Sequence, residues 1–184
     1  GSSVCGHRTL AYLSGASDSA ARAEAQQAFV IAGHRTFEQD PRLGLIALSE
    51  ISSRALSPGI NDPGTAIEAL SALQRVLSCN LTAAPRPQVT CARVHLPRID
   101  PEDMVIDAFR PTARDGAGCV EVAMRLQREL GALISEADSE WTRVLRSQAS
   151  SAFERARSAL AHQADTREVA RVYAETMVTP GAAS

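Results

Sequence analysis

Lysine is absent from this chain: all 19 of its basic residues are arginine. That excludes Schiff-base chemistry and any lysine nucleophile or base. Aromatic residues are only 4% of the sequence, so there is little from which to build a platform for stacked bases. A net charge of −2 with dispersed arginines leaves no electrostatic footprint for nucleic acid, which is not expected as a partner. The four cysteines, Cys5, Cys79, Cys91 and Cys119, form no CxxC pair, so neither a zinc site nor a disulfide framework is indicated and a reducing compartment fits them best. No apolar run approaches the ~20 residues of a membrane span, and no charged start followed by an apolar core marks a signal peptide. Nucleophile elbows, phosphate loops, His-Glu-x-x-His and paired-cysteine signatures are also lacking, which weighs against an enzyme. No metal or cofactor is expected.

What the sequence does have is 184 residues with 45% apolar content, enough for one domain with a sizeable core. The chain as given reads as soluble, and its Gly-Ser-Ser start without methionine is compatible with a tag remnant on an excised piece, so a preceding N-terminal region is kept in view. Residues 1–17 read as an N-terminal arm, 18–178 as a helical domain and 179–184 as a frayed tail.

The chain is organised around His34 to Ala66, where Asp-Pro steps bracket one apolar helix over 42–57. At about 100° per residue, Leu43, Ile46, Ala47 and Ile51 fall on one side of that helix and Leu45, Leu48, Ala55 and Leu56 on the other. A helix apolar nearly all round is normally buried, so this one is expected to be central. Glu50 and Arg54, four residues apart in acid-first order, then sit within an apolar face and should pair with each other or with Arg35, Asp40, Asn61 and Asp62. Those six residues form the candidate polar cluster. Asp40-Pro41 and Asp62-Pro63 also have a plainer reading as helix starts, with a side-chain acceptor at the cap and proline at the first helical position. The segment Ser57 to Asn61 between them is turn chemistry.

Elsewhere, Asp18 or Ser19 opens an Ala-rich helix to about Ile31, with Gly33 as its stop. Pro63 to Ser78 is amphipathic, with Ala66, Ile67, Leu70, Leu73 and Leu77 buried and Glu68, Ser71 and Arg75 outside. A third Asp-Pro start at Asp100 opens a helix ending near Arg110-Pro111. A further helix follows Gly118, with Cys119 in its first turn. There a lowered thiol pKa would make a reactive cysteine and burial an inert one, and the inert reading is favoured. Ser139 to His162 is one long helix, and Asp165 opens the last, to Met177. The single alternating run, Val89 to Leu96, could pair only with Leu10 to Leu13. The expected fold is therefore mainly α: a single-domain bundle of about seven helices around a buried central helix (42–57), with at most a small β hairpin.

The motifs at Arg35-Thr36, Gln39-Asp40-Pro41, Gly44-Leu45, Arg54 to Pro63 and Thr65-Ala66 resemble a family of predicted bacterial membrane proteins, domain of unknown function 2254. The match is dense over His34 to Leu73 and looser over roughly 26–160. Glu50 stands where the family commonly has Asp, and Ser71 where it commonly has an acid. The resemblance implies membrane spans preceding this region and supplies no reaction. The expected function is a regulatory, ligand-binding or oligomerisation domain of a membrane protein, with the polar cluster fixing the core or gripping a small polar ligand. Expected partners are the chain's own missing transmembrane region, a second copy and that ligand. Membrane association is expected of the full-length protein and a cytoplasmic position of this domain. The enzyme alternative uses Asp40, Glu50 or Asp62 as acid or base and Arg35 or Arg54 to hold an anion. A cation site of Asp40, Glu50 and Asp62 is a weaker third reading.

Overall fold

The computed structural model describes residues 4–7, 9–12, 18–38, 40–81 and 99–178. They form seven helices and no strand: α1 (Ser19–Gln27), α2 (Pro41–Ala55), α3 (Pro63–Leu81), α4 (Pro101–Asp115), α5 (Val120–Glu136), α6 (Ser139–Ala159) and α7 (Gln163–Met177). The expected mainly α fold is borne out. Of the expected hairpin, Val89 to Leu96 and Leu13 lie outside the described residues, and residues 10–12 are irregular. Two compact units divide the chain, Gly1–Leu43 and Gly44–Ser184.

The first unit contains α1. Asp18 caps it, accepting from the Ala21 amide at 2.8 Å. The helix stops at Gln27, four residues short of the expected Ile31, and none of its residues is buried. Nine residues without a packed face are too few to propagate through the β-branched Val30 and Ile31. Phe29, Val30 and Ile31 follow in irregular chain and are exposed.

In the second unit the hub is α5. Its buried stripe, Val122, Ala123, Leu126, Gln127, Glu129, Leu130, Leu133 and Ile134, repeats at three and four residues, and it packs against α3, α4, α6 and α7. At Gly131 a β-carbon would lie 3.2 Å from Thr176 Oγ1, so glycine sets the close approach of α5 and α7. Pairs α4–α6 and α6–α7 also pack, and Phe153 of α6 stacks on Tyr173 of α7 with ring centroids 4.5 Å apart. Phe109, Leu45, Leu70, Leu73, Leu77, Leu130 and Leu133 are among the fully buried side chains. Each such residue contributes about 1.5–3 kcal/mol relative to exposure.

The expectation that residues 42–57 form a buried central helix is corrected. α2 buries one face, Leu45, Ser49, Ser52 and Ala55, while Glu50 is exposed and Ile51 is 50% exposed. The stripe includes two serines, and Ser52 is admitted because Thr112 Oγ1 of α4 donates to its Oγ at 2.9 Å. Ser53 of α2 also donates to Asp115 of α4.

α4 runs through Pro111 to Asp115 rather than ending near it. Proline removes one intrahelical donor, yet Thr112 and Ala113 are buried beyond it and the contacts to Ser52 and Ser53 hold the last turn to α2. α6 ends at Ala159, and His162, not Asp165, caps α7.

Candidate functional site

The six residues of the expected cluster are divided between the units. In the first, Asp40 is 3% exposed and pairs with Arg35, whose Nε donates to Oδ2 at 2.5 Å and whose Nη2 lies at the same distance. Asp40 also caps α2, its Oδ1 accepting from the Arg42 amide at 3.1 Å. Burial pushes its carboxyl up, and hydrogen bonds from cationic partners, Arg35 among them, more than offset this, so its pKa lies below the ordinary 3.8. The capping role and an ion pair thus coincide in one side chain.

In the second unit Asp62 caps α3. Its Oδ1 accepts from the Thr65 amide at 3.0 Å and its Oδ2 from the Thr65 hydroxyl at 2.5 Å. These bonds hold the exposed carboxyl below its ordinary pKa. Asn61 precedes it with φ of 48°, a left-handed conformation that a short amide side chain tolerates. Its amide donates to the Ser57 carbonyl at 2.8 Å and that of Asp62 to Ala55 at 2.8 Å, folding the α2–α3 corner back on the end of α2.

Glu50 and Arg54 do not pair: among the described residues no hydrogen bond or ion pair joins them, and both are exposed. The inferred buried pair is therefore corrected, because the solvent-facing side of α2 carries it. Of the expected cluster, the contacts present are one ion pair, two helix caps and a left-handed corner residue. Among the described residues, no group of three His, Cys, Asp or Glu side chains is placed to hold a metal ion.

The buried carboxylate of the second unit is instead Glu129 on α5, 8% exposed. Ser71, expected on the outer face of α3, is buried against it and donates to its Oε1 at 3.1 Å. Arg125, one turn earlier on α5, donates to Ser71 Oγ at 2.7 Å and places Nε 2.6 Å from Glu129 Oε1. The Arg125 to Glu129 spacing inside the Leu126, Leu130 and Leu133 stripe was the available sequence signal. Arranged between two helices, with Glu129 held by one hydrogen bond from Ser71 and one ion pair with Arg125, this triad is suited to fixing helix register.

Cys119 caps α5 without a side-chain cap bond and is half-buried. Burial pushes its thiol up and the nearby Glu121 carboxylate adds to this, outweighing the backbone N–H groups of the helix start. Partial burial and the raised pKa both favour the inert reading of this cysteine. Cys5 and Cys79 are free and exposed.

A helical bundle whose polar residues serve as caps and interhelical ties defines an all-α domain. No helix among the described residues is long and apolar enough to cross a membrane. The chain belongs to the family described as "Predicted membrane protein (DUF2254)", whose profile matches residues 1–132. It is 51% identical over 47 residues to "Uncharacterized protein Rv1290c" of Mycobacterium tuberculosis and to "Uncharacterized protein Mb1321c" of Mycobacterium bovis. That stretch is 24% of this chain and 9% of each relative, so the matched segment is a small part of considerably longer proteins. No solved structure matches the chain at a significant level.

Proposed function

We propose that this chain is a regulatory, ligand-binding or oligomerisation domain of a bacterial membrane protein, held outside the bilayer on its cytoplasmic side. The observation that carries this reading is a combination: membership of a membrane-protein family in a chain whose described helices include none able to span a bilayer. Exposed apolar side chains in the first unit support it. Tyr12, Phe29, Val30, Ile31 and Phe37 are all exposed, and Leu10, Ala11, Arg22, Ala25, Gln26, Phe29 and Ile31 line a cleft of about 660 Å³. An apolar cleft of this kind, with large exposed side chains on its lining, is the sort of surface that serves as an interaction site. Its occupant in the whole protein is the membrane-embedded region, with a second copy of the domain as the further partner.

Fractionation tests the reading. The full-length protein should sediment with membranes and resist carbonate extraction, whereas this chain expressed alone should remain in the supernatant. Carbonate-resistant retention of the chain alone would contradict it. In the purified chain, replacing Phe29 and Ile31 with serine should leave the helical spectrum unchanged, since neither belongs to the core.

A further inference from the structure

A cleft of about 140 Å³ lies between α4 and α6 in the second unit, lined by Glu102, Val105, Ile106 and Arg110 from one helix and Arg143, Val144, Ser147, Gln148 and Ser151 from the other. Arg110 and Arg143 stand on opposite walls. Both are exposed, and among the described residues neither makes an ion pair or a side-chain hydrogen bond. Gln148 is 8% exposed, yet its side-chain amide has no hydrogen-bond partner among the described residues. That amide keeps its residual exposure at the cleft, so it is free to serve an incoming group in a space bordered by two arginines and two serines.

We propose that this cleft binds a small oxyanion, a phosphate or carboxylate group bridged by Arg110 and Arg143 and hydrogen-bonded by the Gln148 amide. Guanidinium forks match both oxyanion geometries, and bonds between opposite charges are the stronger kind. Ser147 and Ser151, one turn apart on α6, add hydroxyl donors along the same wall. Glu102, one turn before Ile106 on α4, repels an anion and fixes the polarity of the site: the anionic group lies towards the arginines, and the carboxylate favours a ligand whose other end carries hydroxyl or ammonium donors. Val105, Ile106 and Val144 give the cleft apolar sides that lower its local dielectric and strengthen these contacts. This site deepens the ligand-binding form of the proposed function. Because binding is measured on the purified chain, it can fail or succeed independently of where the domain sits in a cell.

The test is calorimetric titration of the purified chain with inorganic phosphate, acetate and phosphoethanolamine. The last carries an ammonium for Glu102. Saturable binding is expected, with phosphoethanolamine tighter than phosphate. Arg110→Met and Arg143→Met should each weaken it roughly tenfold to a hundredfold, and Gln148→Leu by about tenfold, with helical content unchanged. Glu102→Gln should erase the preference for phosphoethanolamine and leave phosphate binding intact or improved. Absence of any heat or thermal shift up to about 10 mM of all three probes would overturn the proposal, as would binding that survives the Arg110→Met, Arg143→Met double substitution.

Discussion

Ser71 of α3 and Glu129 of α5, 58 residues apart in sequence, meet with the serine hydroxyl donating to Glu129 Oε1 at 3.1 Å, and Arg125 closes the triangle. Removing the half-exposed arginine leaves a nearly buried carboxylate with only a neutral donor. Arg125→Ala should therefore cost about 1–3 kcal/mol, whereas Glu129→Gln, which keeps an acceptor for Ser71, should cost less. Urea unfolding of both variants measures this. If Arg125→Ala falls within about 0.5 kcal/mol of wild type, the triad does not tie α3 to α5.

The position of α5 at the hub predicts a sharp contrast with α2. Leu130→Ala should destabilise by about 2–5 kcal/mol, since the side chain is fully buried. Ile51→Ala, at a half-exposed position, should cost less than about 1 kcal/mol. Arg54→Ala should likewise change stability by less than about 1 kcal/mol, where a buried pair with Glu50 would have cost about 3–5.

Much of this was legible in the sequence, and the omissions have physical causes. Asp-Pro steps mark the starts of α2, α3 and α4 because cap and proline chemistry is local, and the stripe of α3 follows from its own periodicity. The side on which α2 is buried was not legible: it is decided by Thr112, about 60 residues away, which supplies the bond that lets Ser52 into the core. Pro111 looked like a terminus because the bonds that carry the helix past it come from Ser52 and Ser53 on another element. Of the candidate site, the Asp40 and Asp62 caps were legible, whereas Glu129 and Gln148 are buried only by virtue of their neighbours on other helices.

Acid should weaken the fold through specific carboxylates. Arg114 beside Asp115, at 2.6 Å, holds that carboxyl below 3.8 against the opposing effect of burial, with Ser53 assisting. Asp40 and Asp62 are lowered as well. Groups whose pKa falls on folding contribute stability that is complete above the unfolded value and lost as pH drops through the folded one. Melts should thus be flat near neutrality and decline below about pH 4–5, and Asp40→Asn with Asp115→Asn should be less stable at pH 7 but show a shallower decline. An unchanged slope in that variant would remove these carboxyls from the explanation.

Cys119 and Cys79 should differ as thiols. Burial and Glu121 suppress the thiolate at Cys119, while Cys79 is exposed on α3. Peptide mapping after brief maleimide treatment at neutral pH should find Cys79 modified first, and faster modification of Cys119 would reverse the assignment.

The position of the domain relative to the bilayer is tested most directly by the exposed Cys79 in the full-length protein, kept as its only cysteine. A membrane-impermeant maleimide should leave it unmodified in intact spheroplasts and modify it in inverted membrane vesicles, as expected for a helical domain outside the bilayer on the cytoplasmic side. Modification in intact spheroplasts would place the domain on the opposite side. Protection in both preparations, relieved only by detergent, would place this surface of α3 in the membrane and contradict the proposed function.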